Sequence, residues 1–157
     1  MAADRPALRL ELGIARLRYA PERTGYAKRG GSDEHFHRGF LETALAADEL
    51  LVEIRVPKTT GGRFAFQKFN RRAQDWAIVG AVAVRNGTTG VALVNMGSVP
   101  MRAAGVEEAL AGGAGAAEAA EHADEGTEPT SDLNASAEYR RHLAKVLVRR
   151  ALEEVGA

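Results

Sequence analysis

Residues 63–96 read RFAFQKFNRRAQDWAIVGAVAVRNGTTGVALVNM, and the alternation in this stretch decides the fold class. Between Arg63 and Phe69, Phe64, Phe66 and Lys68 fall on one side of an extended chain, with Ala65 and Gln67 on the other. Asn70 to Asp75 is a polar interruption. Trp76 to Val84 and Gly90 to Met96 are further apolar runs, separated by Asn86-Gly87. Asn-Gly is a strong turn signal, and Thr88-Thr89-Gly90 lengthens the expected loop beyond a two-residue hairpin.

Working upstream, Leu50 to Val56 alternates apolar with charged residues. Val52, Ile54 and Val56 share one face and Glu53 and Arg55 the other, which predicts a half-buried strand stopped by Pro57. Lys58 to Gly62 reads as a turn, so this strand and Arg63–Phe69 are expected to pair antiparallel. The sheet should therefore hold three or four strands, mostly antiparallel.

Downstream the composition changes. Val106 to Ala123 is rich in Ala and Glu, with Gly112, Gly113 and Gly115 dividing it into two short helices. A last helix is expected from about Ala135 to Glu154, with Asn134 or Ser136 as N-cap. Tyr139, Leu143, Val146, Leu147 and Val155 mark its expected buried stripe, and Arg140, Arg141, Lys145 and Arg149 lie mainly off it. Strands first and helices after predict an α+β fold, with a small antiparallel three- to four-stranded sheet packed against helices.

The 157 residues suffice for one domain with a real core. Lys plus Arg and Asp plus Glu both number 21, so charge offers no case for nucleic acid or an anionic membrane as partner. The absence of cysteine excludes disulfides, thiolate zinc sites and cysteine-ligated iron–sulfur clusters within these residues. No apolar run approaches the roughly 20 residues needed to span a bilayer, and a cytoplasmic chain without membrane insertion is expected.

Residues 1–31 carry seven basic side chains against three acidic ones. Leu8, Leu10, Ile14 and Leu17 are a weak signal for a short strand or helix, and Lys28 to Ser32 reads as a loop. Residues 1–35 are left as an unassigned basic arm ahead of a domain at 36–157; such an arm could bind an acidic surface, though a solvated or poorly ordered terminus is the commoner case.

Few motifs carry chemistry. Gly112-Gly113-Ala114-Gly115 follows a helical stretch and lacks the third glycine of a dinucleotide fingerprint, so helix breaking explains it better. His35 and His37 have a spacing some metal sites use, yet no third ligand stands beside them. No catalytic residue or metal ligand is assigned. The best local candidate is Phe66 to Asp75, where Lys68 ends an aromatic strand before a loop containing Arg71, Arg72 and Asp75. A cation there would stabilise negative charge developing on an aromatic cofactor, while from spacing alone a surface lysine beside a solvated loop is the better fit.

Four segments in order resemble the FAD-binding (medium) subunit of the xanthine dehydrogenase and carbon monoxide dehydrogenase family of molybdenum hydroxylases. They are Phe36–Leu45, Asp48–Pro57, the Phe66-Gln67-Lys68-Phe69 strand with Arg71, Arg72 and Asp75-Trp76-Ala77, and Ser131–Leu143. The resemblance runs from about Phe36 to Leu152 and covers the C-terminal domain. It implies FAD contacts by Leu51, near the flavin ring, and by Lys68. It implies as partners an iron–sulfur small subunit and a molybdopterin-bearing large subunit, with electrons passing through FAD to an acceptor such as NAD or a quinone. Residues 1–35 do not resemble the upstream domain whose glycine-rich loops hold the FAD pyrophosphate, so only part of the flavin site is expected here. Two other readings stand beside this one: a cofactor-free subunit-interaction domain, and an inactive truncated remnant.

Overall fold

The computed structural model describes residues 16–21, 29–32, 36–55 and 60–157. The chain divides into two compact units, Met1–Thr60 and Gly61–Ala157.

In the first unit, β1 (Arg16–Pro21) lies between β2 (Arg29–Ser32) and β5 (Glu49–Arg55), antiparallel to both. A short hairpin, β3 (His37–Gly39) with β4 (Glu42–Thr43), turns through Phe40 and Leu41, both exposed. Three expectations are corrected here. Lys28–Ser32, read as a loop, contributes a strand, and residues 16–21 form another within the supposed arm. Backbone pairing with a neighbour overrides their weak local propensity. The partner of β5 is β1, not the strand at Arg63–Phe69. Val52 and Ile54 are 47% and 57% exposed while Leu51 and Glu53 are half-buried, so the alternation holds but its apolar side is the more open one. Leu8, Leu10, Ile14, His35, Val56 and Pro57 lie outside the described residues.

The second unit is the expected α+β layout. Strands β6 (Arg63–Phe69), β7 (Val79–Asn86), β8 (Thr88–Val94) and β9 (Met101–Arg102) form an antiparallel sheet in sequence order. Asn86 pairs with Thr88 across Gly87, whose φ of 79° suits glycine. The turn is therefore tighter than Thr88-Thr89-Gly90 suggested, because both threonines join the ladder.

The register sorts the two faces. Ala65, Ala83 and Val91 are cross-strand neighbours, as are Gln67, Ala81 and Leu93. All of these except Gln67 are at most 2% exposed and form the core with the helices. Those helices are α1 (Ala104–Ala111), α2 (Ala116–Ala120) and α3 (Ala137–Val155), and α3 packs on β6 and β7. Gly112 caps α1, and Gly113 at φ 92° turns the chain toward α2, as the glycine cluster predicts. Glu107 of α1 accepts from the Val91 N–H at 2.8 Å and from Arg102 at 2.7 Å, joining the helix to β8 and β9.

Helix α3 begins where Ser136 Oγ accepts from the Tyr139 N–H at 3.2 Å, so Ser136 is the N-cap. It ends at Gly156 with φ 72°, where the N–H of Ala157 reaches back to the Leu152 carbonyl at 3.0 Å. Leu143, Leu147 and Val155 are buried as expected, but Tyr139 is 44% exposed. Arg140, expected off the stripe, is 1% exposed. No helix among the described residues is long and apolar enough to cross a membrane.

Candidate functional site

Lys68 stands on the sheet face opposite the helices. On that face three rows run across β6, β7 and β8: Phe64, Val84 and Gly90; Phe66, Val82 and Ala92; and Lys68, Gly80 and Val94. Phe64 and Phe66 are 77% and 55% exposed, and Val82, Ala92 and Val94 are half-buried. Gly80 is buried on this face, where a methyl group would lie in van der Waals contact, 3.4 Å from Val94 Cβ and 3.5 Å from the Phe66 ring. The result is an apolar patch with an ammonium group at one end, able to receive one face of a flat aromatic molecule.

Leu51 belongs to the other unit and is described by itself. It is half-buried in β5 opposite Tyr19. The register passes from Arg18–Glu53 to Tyr19–Leu51, so Val52 is the extra residue of a β-bulge beside it.

Beyond Lys68 the loop Asn70–Ala77 connects β6 to β7. Its base is closed by the Ile78 N–H donating to the Phe69 carbonyl at 2.7 Å. Arg72 and Asp75 form an exposed ion pair at 3.5 Å, and Trp76 is 89% exposed. Between this loop and the segment before α3 lies a polar cleft of about 460 Å³, lined in part by Arg71, Trp76, Asn95, Asn134 and Arg140.

Arg140 is the residue that sequence reasoning missed. Its Nη1 donates to the Ile78 carbonyl and its Nη2 to Asp132 Oδ2 at 2.7 Å. Helical spacing placed it off the apolar stripe because periodicity counts only apolar residues. The available signal was Asp132, one turn before the helix, where it can meet a basic residue in the first turn. The other oxygen of Asp132 accepts from the N–H groups of Asn134 at 2.8 Å and Ala135 at 3.0 Å. Those two N–H groups, helped by Arg140, hold the Asp132 carboxyl at about 2, below its ordinary 3.8. A carboxyl depressed in the folded state contributes stability above pH 3.8 and loses it as pH falls through about 2. Acid unfolding across that window should therefore be less steep in Asp132→Asn than in the parent, as read by urea midpoints at successive pH values.

The profile of the family described as "CO dehydrogenase flavoprotein C-terminal domain" matches residues 64–155. The chain belongs to that family. It is 32% identical over 165 residues to the carbon monoxide dehydrogenase medium chain of Afipia carboxidovorans, covering 98% of this chain and 56% of that one. Among solved structures, it is similar to a carbon monoxide dehydrogenase from Hydrogenophaga pseudoflava lacking the Mo-pyranopterin moiety of the molybdenum cofactor. The TM-score is 0.79 and the identity 32%, covering 98% of this chain and 56% of that one. Quinoline 2-oxidoreductase from Pseudomonas putida 86 follows at a TM-score of 0.78 and 30% identity, covering 98% and 55%. The chain spans about half the length of the curated relatives it matches. These matches extend upstream of Phe36, beyond the four segments that carry the resemblance.

Proposed function

We propose that this chain forms part of the flavin-binding subunit of an electron-transferring oxidoreductase of the molybdenum hydroxylase type. In this reading Leu51 and Lys68 contact FAD. Electrons arrive from iron–sulfur clusters on a small subunit, supplied by a molybdopterin-bearing large subunit, and leave to an acceptor such as NAD or a quinone. The single observation that carries the reading is the outer face of the four-stranded sheet, where Phe64 and Phe66 are exposed, Val82 and Ala92 are half-buried and Lys68 stands at the end beside Gly80. The names of the relatives support it further: they are medium chains or subunits of carbon monoxide dehydrogenase and nicotine 6-hydroxylase, and the beta subunit of caffeine dehydrogenase.

The residues present suit the group. An isoalloxazine ring is flat and largely apolar, so it loses little by covering valine, alanine and an aromatic edge. FAD, when bound, supplies the redox chemistry. The protein's part is to exclude water from that face and to hold a positive charge where negative charge develops on reduction. Lys68 provides that charge by attraction in a medium less polarisable than water.

Lys68→Ala is accordingly expected to lower the flavin's midpoint potential in the flavin-loaded complex, measured by equilibration with a redox dye. An unaltered potential with a full complement of FAD would remove Lys68 from the site. Absence of flavin absorption bands from a complex containing this chain and both other subunits would remove the reading itself.

A further inference from the structure

We infer that Arg140 is a positioning residue for the Lys68 end of the sheet, latching the base of the Asn70–Ala77 loop to the segment that precedes α3. The inference rests on the proposed flavin reading for its functional meaning, although the latch itself stands on geometry.

Arginine is a costly choice at this point. The side chain is 1% exposed, on a helix whose neighbouring inward positions are Leu143, Ala144 and Leu147. Moving a cation into such a place carries a large desolvation penalty, and an apolar side chain of similar volume is often equal or better for stability alone. The guanidinium does something an apolar side chain cannot: it joins two separate stretches of backbone. One arm reaches the Ile78 carbonyl and the other reaches Asp132, itself bonded to the N–H groups of Asn134 and Ala135. Its Nε is buried without a hydrogen-bond partner in the structure, so burial is accepted at some cost.

Ile78 is where the latch matters. Its N–H closes the loop against the Phe69 carbonyl, and its own carbonyl also accepts from Asn95 Nδ2 at 3.2 Å. Lys68 is one residue from Phe69, and its partner Gly80 is two residues from Ile78. Fixing Ile78 therefore fixes the last closure of the sheet before the loop, immediately beside the proposed flavin contact. A second and exposed tie runs parallel to it, from Arg71 Nη1 to Asn134 Oδ1 at 3.3 Å. The fork of a guanidinium holds two acceptors in fixed directions, whereas an ammonium does so poorly. Arg140→Lys should keep the charge and lose the latch.

Backbone amide exchange in the full chain separates positioning from general stability. In Arg140→Lys, the protected N–H groups of Asp75 and Ile78 should exchange about tenfold faster, as for loss of a hydrogen bond to a charged donor, while those of Leu147 to Leu152 keep the parental rate. Equal acceleration in the loop and in α3, or none in the loop, overturns the inference. Should Arg140→Lys fail to fold, Asp132→Asn keeps the arginine, removes its anionic partner and is expected to give the same local pattern.

The flavin-loaded complex supplies the functional arm. Arg140→Lys should lower the midpoint potential in the parent background and produce no further shift in a Lys68→Ala background. Fully additive shifts overturn the coupling to Lys68. If Lys68→Ala alone leaves the potential unchanged, the flavin role of Lys68 fails, and the exchange pattern still decides whether Arg140 is the latch.

Discussion

Val148→Asp is expected to abolish folding of the Gly61–Ala157 unit. Val148 is fully buried on α3, within the cluster that includes Val79, Ala81 and Leu93. Thr127 and Arg140 are the buried polar side chains among the described residues, and Arg140 is already engaged by Asp132. A carboxylate at position 148 would thus have no free buried cation to meet. An unpaired buried charge costs more than about 4 kcal/mol, whether as desolvation or as the shift needed to protonate it at neutral pH. Domains of this kind hold only about 5–15 kcal/mol in total. Circular dichroism with urea titration should find little cooperative unfolding. A midpoint close to that of the parent would mean that this helix face is not buried against the sheet.

The second large effect is expected from overpacking. Ala65, Ala81 and Ala83 line the inner sheet face, and Ala144 and Ala151 line α3, all at most 1% exposed. Small side chains on both elements let the helix lie close to the sheet, leaving no volume for extra methyl groups. Ala81→Leu should therefore destabilise by about 1–3 kcal/mol. Its neighbour provides the contrast: Val82 faces the other way and is half-buried beside Phe66. Val82→Leu should change stability by no more than about 0.5 kcal/mol. Equal losses in the two variants, compared by thermal unfolding, would contradict the assignment of faces.

The helix boundaries near Gly112 and Ser136 were legible because they depend on neighbours within a few residues. Ser136 needs only the Tyr139 N–H to act as a cap, and Gly113 needs only its own freedom at positive φ. The outer sheet face was legible in part. Alternation grouped Phe64, Phe66 and Lys68, but their neighbours Val84, Val82 and Gly80 follow only from register. The pairing of β5 departs from expectation for a related reason. Adjacency in sequence favours a hairpin with Arg63–Phe69, whereas the observed partner, Arg16–Pro21, lies some thirty residues upstream and carries little local signal.

Arg140 shows the limit most clearly. Hydrophobic periodicity assigns a charged residue to the solvent side by default. Its burial depends on two acceptors brought to it by other parts of the chain, the Ile78 carbonyl and Asp132. Neither is visible as a property of position 140.

By itself, then, the sequence determined the α+β class, the alternating strands of the Gly61–Ala157 unit, the helix breaks and the family resemblance. These follow from local propensity and from motifs whose residues stand close together in the chain. Only the tertiary structure decided which strand pairs with β5, which apolar face stays open around Lys68 and that Arg140 is a core residue. Those outcomes depend on hydrogen-bond partners distant in sequence, and a buried polar group is tolerable only where the fold delivers such partners.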